Sequence, residues 1–342
     1  MKKSVHTVVL VALSVGLLWL FLRGAHLDQV WGEIKQADGW WVTLSIVTTV
    51  GNMVVRAVRW QYLLAPIGRA RFRPAFRTTM IGFAASTLLP ARAGEIIRPY
   101  LLARQEGLSG TATFATVVVE RLLDGVTVLL LLAVYVLFFS QKLAMESTLY
   151  RAVRAGSLAV GAGTAILLGL MFFAAKDPAA LGRWAFKLEH LLPGRLTHML
   201  AELVQRFAEG LAVVRSPARL MMALVLSLPL WLCITLGIWA TTMAFRIDMN
   251  FTGSFLLLSM LVVGVAVPTP GGIGAFEAAA RVGLTSFFAV PNDRAVGAAL
   301  MLHATSVLPT LALGFLFLIQ DGLDFGSMKK IATTAAAEGD AR

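Results

Sequence analysis

The chain has 342 residues, of which 58% are hydrophobic and 14% are charged. Soluble domains carry about 25% charged residues, so this composition excludes an ordinary soluble enzyme and predicts a membrane protein. The net charge of +11 does not indicate nucleic-acid binding, because the basic residues fall between apolar runs, where they set membrane orientation. The sequence contains one cysteine, Cys233, which excludes a disulfide framework within the chain.

Six apolar runs are long enough to cross a bilayer as helices, at about 20 residues per crossing. The basic start of the sequence resembles a secretory signal, but no convincing cleavage site follows the apolar run, so we expect a retained first span. The six predicted spans are Val5–Leu22, Trp40–Val58, Phe114–Phe139, Ser157–Ala175, Leu220–Phe245 and Val296–Ile319.

Two further apolar stretches are interrupted by proline and glycine. The first halts at LLPARAGEIIRP, with Pro90 and Gly94 as the predicted helix breaks. Such breaks free backbone groups that hydrocarbon does not satisfy, so broken segments usually line a site or a water-filled cavity. The second stretch halts at VPTPGGIGAFE, where the predicted breaks are Pro268, Pro270, Gly271, Gly272 and Gly274.

The two interrupted stretches follow one pattern: an apolar run, Pro-x-x-x-Gly, a short helix, a turn and a long span. The predicted units, about 76–139 and 255–319, run in opposite directions through the membrane. Paired broken helices in inverted repeats point to a transport site at the bilayer midplane, although two unrelated kinks are the alternative. The predicted fold is an all-α polytopic transmembrane bundle over residues 1–320, in which each broken pair either re-enters or crosses fully.

The distribution of basic residues between the spans predicts the orientation. Lys2, Lys3, Arg59 and the arginines from Arg69 to Arg77 fall on one side, which the positive-inside rule places in the cytoplasm. Both termini, including a short tail at 321–342, are then cytoplasmic, and the location is the bacterial inner membrane. Apolar residues at helical spacing predict an amphipathic cytoplasmic segment at about 179–215.

Ionisable residues in or beside the apolar runs are the candidate site, because a charge in the bilayer centre costs about 2.5–3.5 kcal/mol on insertion scales. Arginine binds phosphate in bidentate fashion and nearby carboxylates orient it, so the cluster favours a lipid headgroup. A structural ion pair is the alternative for each group, and Arg59 is also typical of an anchor at the membrane boundary. The candidate headgroup-binding residues are Arg59, Arg92, Glu95, Arg98, Glu120, Arg121, Asp124 and Glu277.

Glu277 and Arg281 stand at i and i+4, a spacing that suits an ion pair on one helix face. His303 falls inside the last span, where it either serves the site or bonds to a backbone carbonyl. Zinc, disulfide-redox and serine-hydrolase motifs are missing from the sequence, so no metal, cofactor or catalytic residue is predicted. A transferase acting at Glu120 or Asp124 is the weakest alternative.

Three motifs, LLPARAGEIIRPYLL, VVVERLLDG and VPTPGGIGAFEAA, together resemble the flippase-like transmembrane family of the lysylphosphatidylglycerol synthase membrane domain. RAVRWQYLL is similar to that family's arginine–tryptophan element. The resemblance covers about Val5 to Ile319 and implies movement of a polar lipid between leaflets. Larger relatives carry a soluble aminoacyl-transferase domain, which we do not expect after Gln320, so synthase activity is not carried over.

The resemblance leaves two functions open. The first is a lipid flippase or translocase for a phospholipid, an aminoacylated lipid, a glycolipid or an isoprenoid lipid. The second is a non-catalytic accessory subunit that presents lipid to a separate transferase. The expected partner is therefore a membrane lipid and not a nucleic acid, and both a homodimer and a lipid-modifying partner enzyme stay open.

Overall fold

The computed structural model describes residues 14–89, 92–138, 216–267 and 269–322, with isolated positions between 151 and 169 and at 211. All regular elements in these ranges are helices, as predicted. A 3-10 turn lies at Pro270–Gly272. In chain order the helices are α1 (14–22), α2 (Leu27–Lys35), α3 (Gly39–Leu64), α4 (Phe72–Leu88), α5 (Gly94–Glu106), α6 (Gly110–Phe138), α7 (Pro217–Ala244), α8 (Gly253–Ala266), α9 (Ala275–Phe288) and α10 (Asn292–Gln320).

Four of the described helices, α3, α6, α7 and α10, are long and apolar enough to cross a membrane. They correspond to four of the six predicted spans, and α3 continues to Leu64, beyond its predicted end at Val58. Their outward side chains form the apolar surface that lipid requires. Examples of these exposed residues are Val47, Leu130, Leu137, Val225, Leu308 and Ile319.

Several predicted features lie wholly or largely outside the described residues. The first span is described only over 14–22, where it is helical. Of the span Ser157–Ala175 only isolated positions are described, and of the segment 179–215 only residue 211. The predicted breaks Pro90 and Pro268 and the tail beyond residue 322 are not among the described residues.

The contacts between helix ends define two faces of the bundle. The Asp38 face contains the start of α3 and the end of α7, because Asp38 N–H donates to the Ala244 carbonyl at 3.0 Å. It also contains the start of α10, where Arg294 pairs with Glu33 of α2 at 3.1 Å. The opposite, Arg71 face contains the start of α4 and the end of α10, joined by the Arg77–Asp321 ion pair at 2.6 Å.

Each broken stretch forms an antiparallel hairpin whose two ends lie on one face. In the first hairpin, Arg71 before α4 pairs with Glu106 at the end of α5, at 3.2 Å. In the second, Gly253 at the start of α8 packs against the Phe288 ring at the end of α9. Helices of 13–17 residues measure about 20–26 Å, shorter than the roughly 30 Å hydrocarbon core. Both hairpins therefore have the dimensions of re-entrant pairs.

The two hairpins enter from opposite faces. The first follows α3, which ends on the Arg71 face, and the second follows α7, which ends on the Asp38 face. Helix α6 then returns toward the Asp38 face, whereas α10 returns toward the Arg71 face. The units α3–α6 and α7–α10 thus have the inverted arrangement that the sequence predicts, with two broken helix pairs facing each other.

Close backbone contacts hold each hairpin together. A Cβ on Gly94 would overlap the Gly82 carbonyl oxygen, and a Cβ on Gly264 would lie 2.8 Å from the Ala275 carbonyl oxygen. Between the long helices, buried hydroxyl groups form hydrogen bonds that hydrocarbon cannot replace. Thr241 of α7 donates to Ser45 of α3 at 3.0 Å, and Ser45 donates to Thr305 of α10 at 3.1 Å.

Candidate functional site

Helices α3 and α6 carry the charged centre of the first unit. Arg56, Arg59 and Trp60 share one face of α3, because positions i, i+3 and i+4 lie together on a helix. Glu120 and Asp124, one turn apart, share a face of α6. The two helices run in opposite directions and pack with these charged faces together. One contact between them is the hydrogen bond from Trp60 Nε1 to Thr116 Oγ1, at 3.0 Å, near the Arg71 face.

Glu120 lies at the centre of the arginines. Its Oε1 accepts hydrogen bonds from Arg56 Nη1 and from Arg98 Nη1, each at 3.0 Å. Arg59 Nη2 lies 3.4 Å and Arg121 Nη2 3.7 Å from the same oxygen. The Glu120 side chain is fully buried. One carboxylate thus neutralises charge from helices α3, α5 and α6.

Asp124 joins α6 to both long helices beside it. Its Oδ1 accepts from Arg59 Nη1 at 2.7 Å and from Trp231 Nε1 of α7 at 3.0 Å. Its Oδ2 accepts from Arg56 Nη1 at 3.2 Å and from Arg121 Nη1 at 3.4 Å. Both oxygens are therefore occupied by donors from the protein.

Arg98 is buried by a tryptophan face. Its guanidinium carbon lies 3.8 Å from the centre of the Trp60 ring, a cation–π contact that stabilises a desolvated arginine. Its Nη1 donates to Glu120, whereas Nε and Nη2 are buried without a hydrogen-bond partner in the described chain. Buried donors of this kind are uncommon, and they suit an acceptor that the protein does not itself supply.

The charges of the cluster do not cancel. Three buried arginines, Arg56, Arg59 and Arg98, share two buried carboxylates, Glu120 and Asp124, which leaves one positive charge. The more exposed Arg121 and Arg92 share Glu95, which leaves a second positive charge. Burial of unbalanced charge in a membrane protein is costly and favours an anionic ligand.

Three residues form the more accessible edge of this arginine–carboxylate cluster. The side chains of Arg121, Glu95 and Arg92 are 35%, 33% and 52% exposed. Glu95 Oε1 lies 3.8 Å from Arg121 Nε and 3.7 Å from Arg92 Nη1. The edge therefore offers two arginines held by one carboxylate to a group that approaches from outside the cluster.

The accessible edge also contacts the second hairpin. Arg92 Nη2 donates to the Val265 carbonyl near the end of α8, at 3.2 Å. Arg92 has φ 52°, a left-handed conformation that strains a non-glycine residue and often marks a functional position. A second contact joins the turn after α8 to the end of α4, where a Cβ on Gly271 would lie 3.4 Å from the Thr87 carbonyl oxygen. The two breaks therefore meet inside the bundle.

Glu277 lies in the second hairpin and not in the arginine–carboxylate cluster. Its Oε2 accepts the Gly274 N–H at 2.8 Å, and its Oε1 lies 2.5 Å from His303 Nδ1. The expected pairing with Arg281 is wrong, because Arg281 donates to the carbonyl oxygens of Leu20 and Phe21 in α1. At the i, i+4 spacing the residues share a helix face, but α1 attracts the arginine.

The interpretation of Arg59 as a boundary anchor is also wrong. Helix α3 continues past it to Leu64, and Arg59 and Trp60 are fully buried in the bundle. Anchoring residues place their polar ends at the lipid–water interface, which a buried side chain cannot do. The negative charges of Asp124 and Glu120 compensate the positive charge of Arg59 and explain why it is tolerated inside the bundle.

The structure brings seven of the eight candidate residues together and leaves Glu277 apart. It also adds residues that the sequence analysis did not select as site residues. The signal for Arg56 is its spacing of three from Arg59, whereas no sequence signal identifies the hydrogen-bond partners in the apolar run of α7. The additional residues are Arg56, Trp60, Ser227, which accepts from Arg59 Nη1 at 2.7 Å, and Trp231. No group of metal ligands occurs among the described side chains.

Comparison with known proteins agrees with this architecture. Residues 7–314 match the family described as "Lysylphosphatidylglycerol synthase TM region". A protein of Methanothermobacter thermautotrophicus named UPF0104 membrane protein is 25% identical over 321 residues, which cover 90% of this chain and 91% of that protein. "Glycosyltransferase AglD" of Haloferax volcanii is 23% identical over 330 residues, which cover 90% of this chain but only 52% of that protein.

Proposed function

Because the chain belongs to the lysylphosphatidylglycerol synthase transmembrane-region family, an integral membrane family, we propose that it moves a polar lipid with an anionic headgroup between leaflets. The cargo class is a phospholipid, its aminoacylated form, a glycolipid or an isoprenoid phosphate. We place the protein in the bacterial inner membrane with the Arg71 face and both termini in the cytoplasm, because the loops on that face are rich in arginine.

The observation that carries the proposal is the surplus of buried positive charge in the first unit. Three buried arginines share two buried carboxylates, and the Nε and Nη2 groups of Arg98 have no hydrogen-bond partner in the described chain. A phosphate group would neutralise the surplus and accept from guanidinium groups in bidentate fashion. The acyl chains would stay in the bilayer while the headgroup passes.

The burial pattern assigns different tasks to the cluster residues. Arg59 and Glu120 are buried on all sides, so they hold the frame, and the buried Arg98 beside them supplies the donors that lack a partner in the described chain. Arg92 and Arg121 are accessible, so they make the first contact with the headgroup. Glu95 bridges these two arginines and would contact a cationic group such as an aminoacyl amine.

The two facing hairpins supply the path. Backbone that leaves regular helix inside a membrane is stable only against protein or water, and the two breaks lie against each other between opposite faces. A headgroup at this point would be midway between the two leaflets. Rocking of one unit against the other would then expose it alternately to each face.

Reconstitution tests the proposal. The purified protein is placed in vesicles with fluorescent phosphatidylglycerol or lysyl-phosphatidylglycerol, and a membrane-impermeant quencher reports exchange between leaflets. Loss of one charge-assisted phosphate contact costs about 1.5–3 kcal/mol, so Arg121→Ala should lower exchange about ten- to hundredfold. Arg104→Ala, an exposed arginine of α5 outside the cluster, is the matched control and should exchange as the wild type does. Equal exchange by both variants would refute the assignment.

The second candidate is an accessory subunit that presents lipid to a transferase. The partial match to a relative named glycosyltransferase supports it, since 90% of this chain corresponds to only 52% of that protein. It predicts stable co-purification with a lipid-modifying enzyme and no exchange by the purified chain alone. A transferase reaction on Glu120 or Asp124 is less well supported. Arginines and Trp231 occupy both oxygens of Asp124. Glu120 is fully buried, with its Oε1 held by Arg56 and Arg98.

A further inference from the structure

The second hairpin contains a buried pair of titratable side chains outside the arginine–carboxylate cluster. His303 Nδ1 lies 2.5 Å from Glu277 Oε1, and His303 Nε2 lies 3.1 Å from the Gly271 carbonyl oxygen. The second Glu277 oxygen accepts the Gly274 N–H at 2.8 Å. The side chains of His303 and Glu277 are 13% and 5% exposed. A continuous chain of hydrogen bonds therefore spans the turn between α8 and α9.

The partners fix how many protons this chain of hydrogen bonds needs. A carbonyl oxygen only accepts, so His303 Nε2 carries one proton. The contact between Nδ1 and Glu277 Oε1 requires a second proton between the two atoms, whichever of them holds it. Without that proton a ring lone pair would face a carboxylate oxygen, and the buried pair would carry one uncompensated negative charge. The turn is held by this pair only while the second proton is bound.

Among the described residues, neighbouring elements supply no charge that could replace the proton. Arg56 and Arg59 of α3, which packs against α10, are paired with Glu120 and Asp124. The described part of α1 and the whole of α8 contain no ionisable side chain, and Arg281 of α9 is bonded to α1 carbonyls. On α4, Arg73 and Arg77 lie in its first turns at the Arg71 face. The other charged groups around the hairpin have partners of their own: Arg77 with Asp321, Asp293 with His26, Arg294 with Glu33, and Arg92 with Glu95 and the Val265 carbonyl.

The turn held by Glu277 and His303 is the part of the second hairpin that contacts the first hairpin. Gly271, whose carbonyl accepts from His303, lies against Thr87 at the end of α4. Gly271, Gly272 and Gly274 all have positive φ, which glycine adopts without strain but also leaves easily, so the hydrogen bonds help to hold this turn in one conformation. Release of the pair would free the contact between the hairpins.

We propose that Glu277 and His303 form a proton-binding site that couples lipid movement to a proton gradient. The bound proton closes the turn of the second hairpin, and its loss to water on the other side frees the turn. The inference rests on the proposed function, for which it names the driving ion.

Glu277→Gln keeps the hydrogen bonds of the turn but removes the exchangeable proton between the two side chains. The glutamine oxygen accepts from Gly274 N–H, its NH₂ group donates to Nδ1 of neutral His303, and Nε2–H still donates to Gly271. The turn stays closed at every pH without a titratable proton in the bridge. Ser306→Ala is the matched control, because this exposed hydroxyl on the same helix donates only to the His303 carbonyl.

Backbone hydrogen exchange of residues 271–277 tests the site without any lipid movement. The three proteins are compared in nanodiscs at each pH, so that the intrinsic exchange rates cancel. We expect protection in the wild type and in Ser306→Ala to fall by about tenfold or more from acid to alkaline pH, while Glu277→Gln stays protected. The same pH response in Glu277→Gln and wild type would overturn the proton site.

Leaflet exchange of fluorescent phosphatidylglycerol under an imposed pH gradient tests the coupling. Wild-type exchange should change severalfold when the gradient is reversed, whereas Glu277→Gln should exchange at a rate independent of the gradient. A wild-type rate unaffected by reversal would overturn the coupling. Proton-dependent protection with no exchange of any lipid would uphold the proton site and reject both the coupling and the proposed translocation, so the two failures are distinguishable.

Discussion

Replacement of Glu120 by glutamine tests whether the arginine cluster depends on its central carboxylate. Glu120 Oε1 lies 3.0 Å from nitrogen atoms of both Arg56 and Arg98. At an effective dielectric constant of about 20, each contact corresponds to about 5 kcal/mol of Coulomb attraction. Desolvation offsets much of this attraction, and removal of one partner from a buried pair typically costs about 3–5 kcal/mol. We expect Glu120→Gln to lower the free energy of unfolding by this amount.

The assay is equilibrium unfolding in mixed micelles, followed by helical circular dichroism. Glu33→Gln is the matched control, because it removes a carboxylate from an ion pair with Arg294 in which both side chains are about one-third exposed. Such pairs contribute about 0–1 kcal/mol. A loss of free energy in Glu120→Gln no larger than in Glu33→Gln would refute the reasoning, since the four arginines would then be stable without their central charge.

Three further predictions follow from the packing. Gly94→Ala should destabilise the protein by about 1–3 kcal/mol, because the added Cβ would overlap a backbone oxygen of α4. Gly51→Ala is the control: it has open space around it and should stabilise α3 by about 0.5–1 kcal/mol. Thermal unfolding of the two variants measures both changes in stability. Trp231→Phe removes a donor from Asp124 and should cost about 1–3 kcal/mol in the same measurement. Arg71→Cys and Asn250→Cys each place a thiol at an exposed position just before one of the hairpins, in a variant that lacks the native cysteine. The two thiols should react with a membrane-impermeant maleimide from opposite sides of the membrane. Labelling of both from the same side would contradict the inverted arrangement.

Much of the helix layout is predictable from the sequence. Long apolar runs predict α3, α6, α7 and α10, and the glycine and proline positions predict the two breaks. These features are local, because each depends on the hydropathy or backbone freedom of neighbouring residues. The end of α3 is misplaced for the same reason: hydropathy treats Arg59 as a residue that leaves the membrane, although partners on α6 keep it inside.

The partners themselves are not local and could not be predicted. The sequence leaves open whether the broken stretches re-enter, whereas the contact between the two turns, Gly271 against Thr87, appears only in the folded bundle. The spacing of Glu277 and Arg281 favours an ion pair, yet helices α1 and α10 offer each residue a different partner. Trp231 lies in an apolar run that resembles a lipid-facing span, and its hydrogen bond to Asp124 appears only when α6 and α7 are brought together.

The inverted units share a backbone plan but carry different charges at their breaks. The first unit concentrates arginine around two carboxylates, a group that stays charged and suits an anionic ligand. The second has an acid and a histidine bridged by one exchangeable proton. The contact of Arg92 with Val265 and that of Gly271 with Thr87 join the two, so a change at either break reaches the other. This asymmetry favours a mechanism in which one unit holds the headgroup and the other controls when it is released.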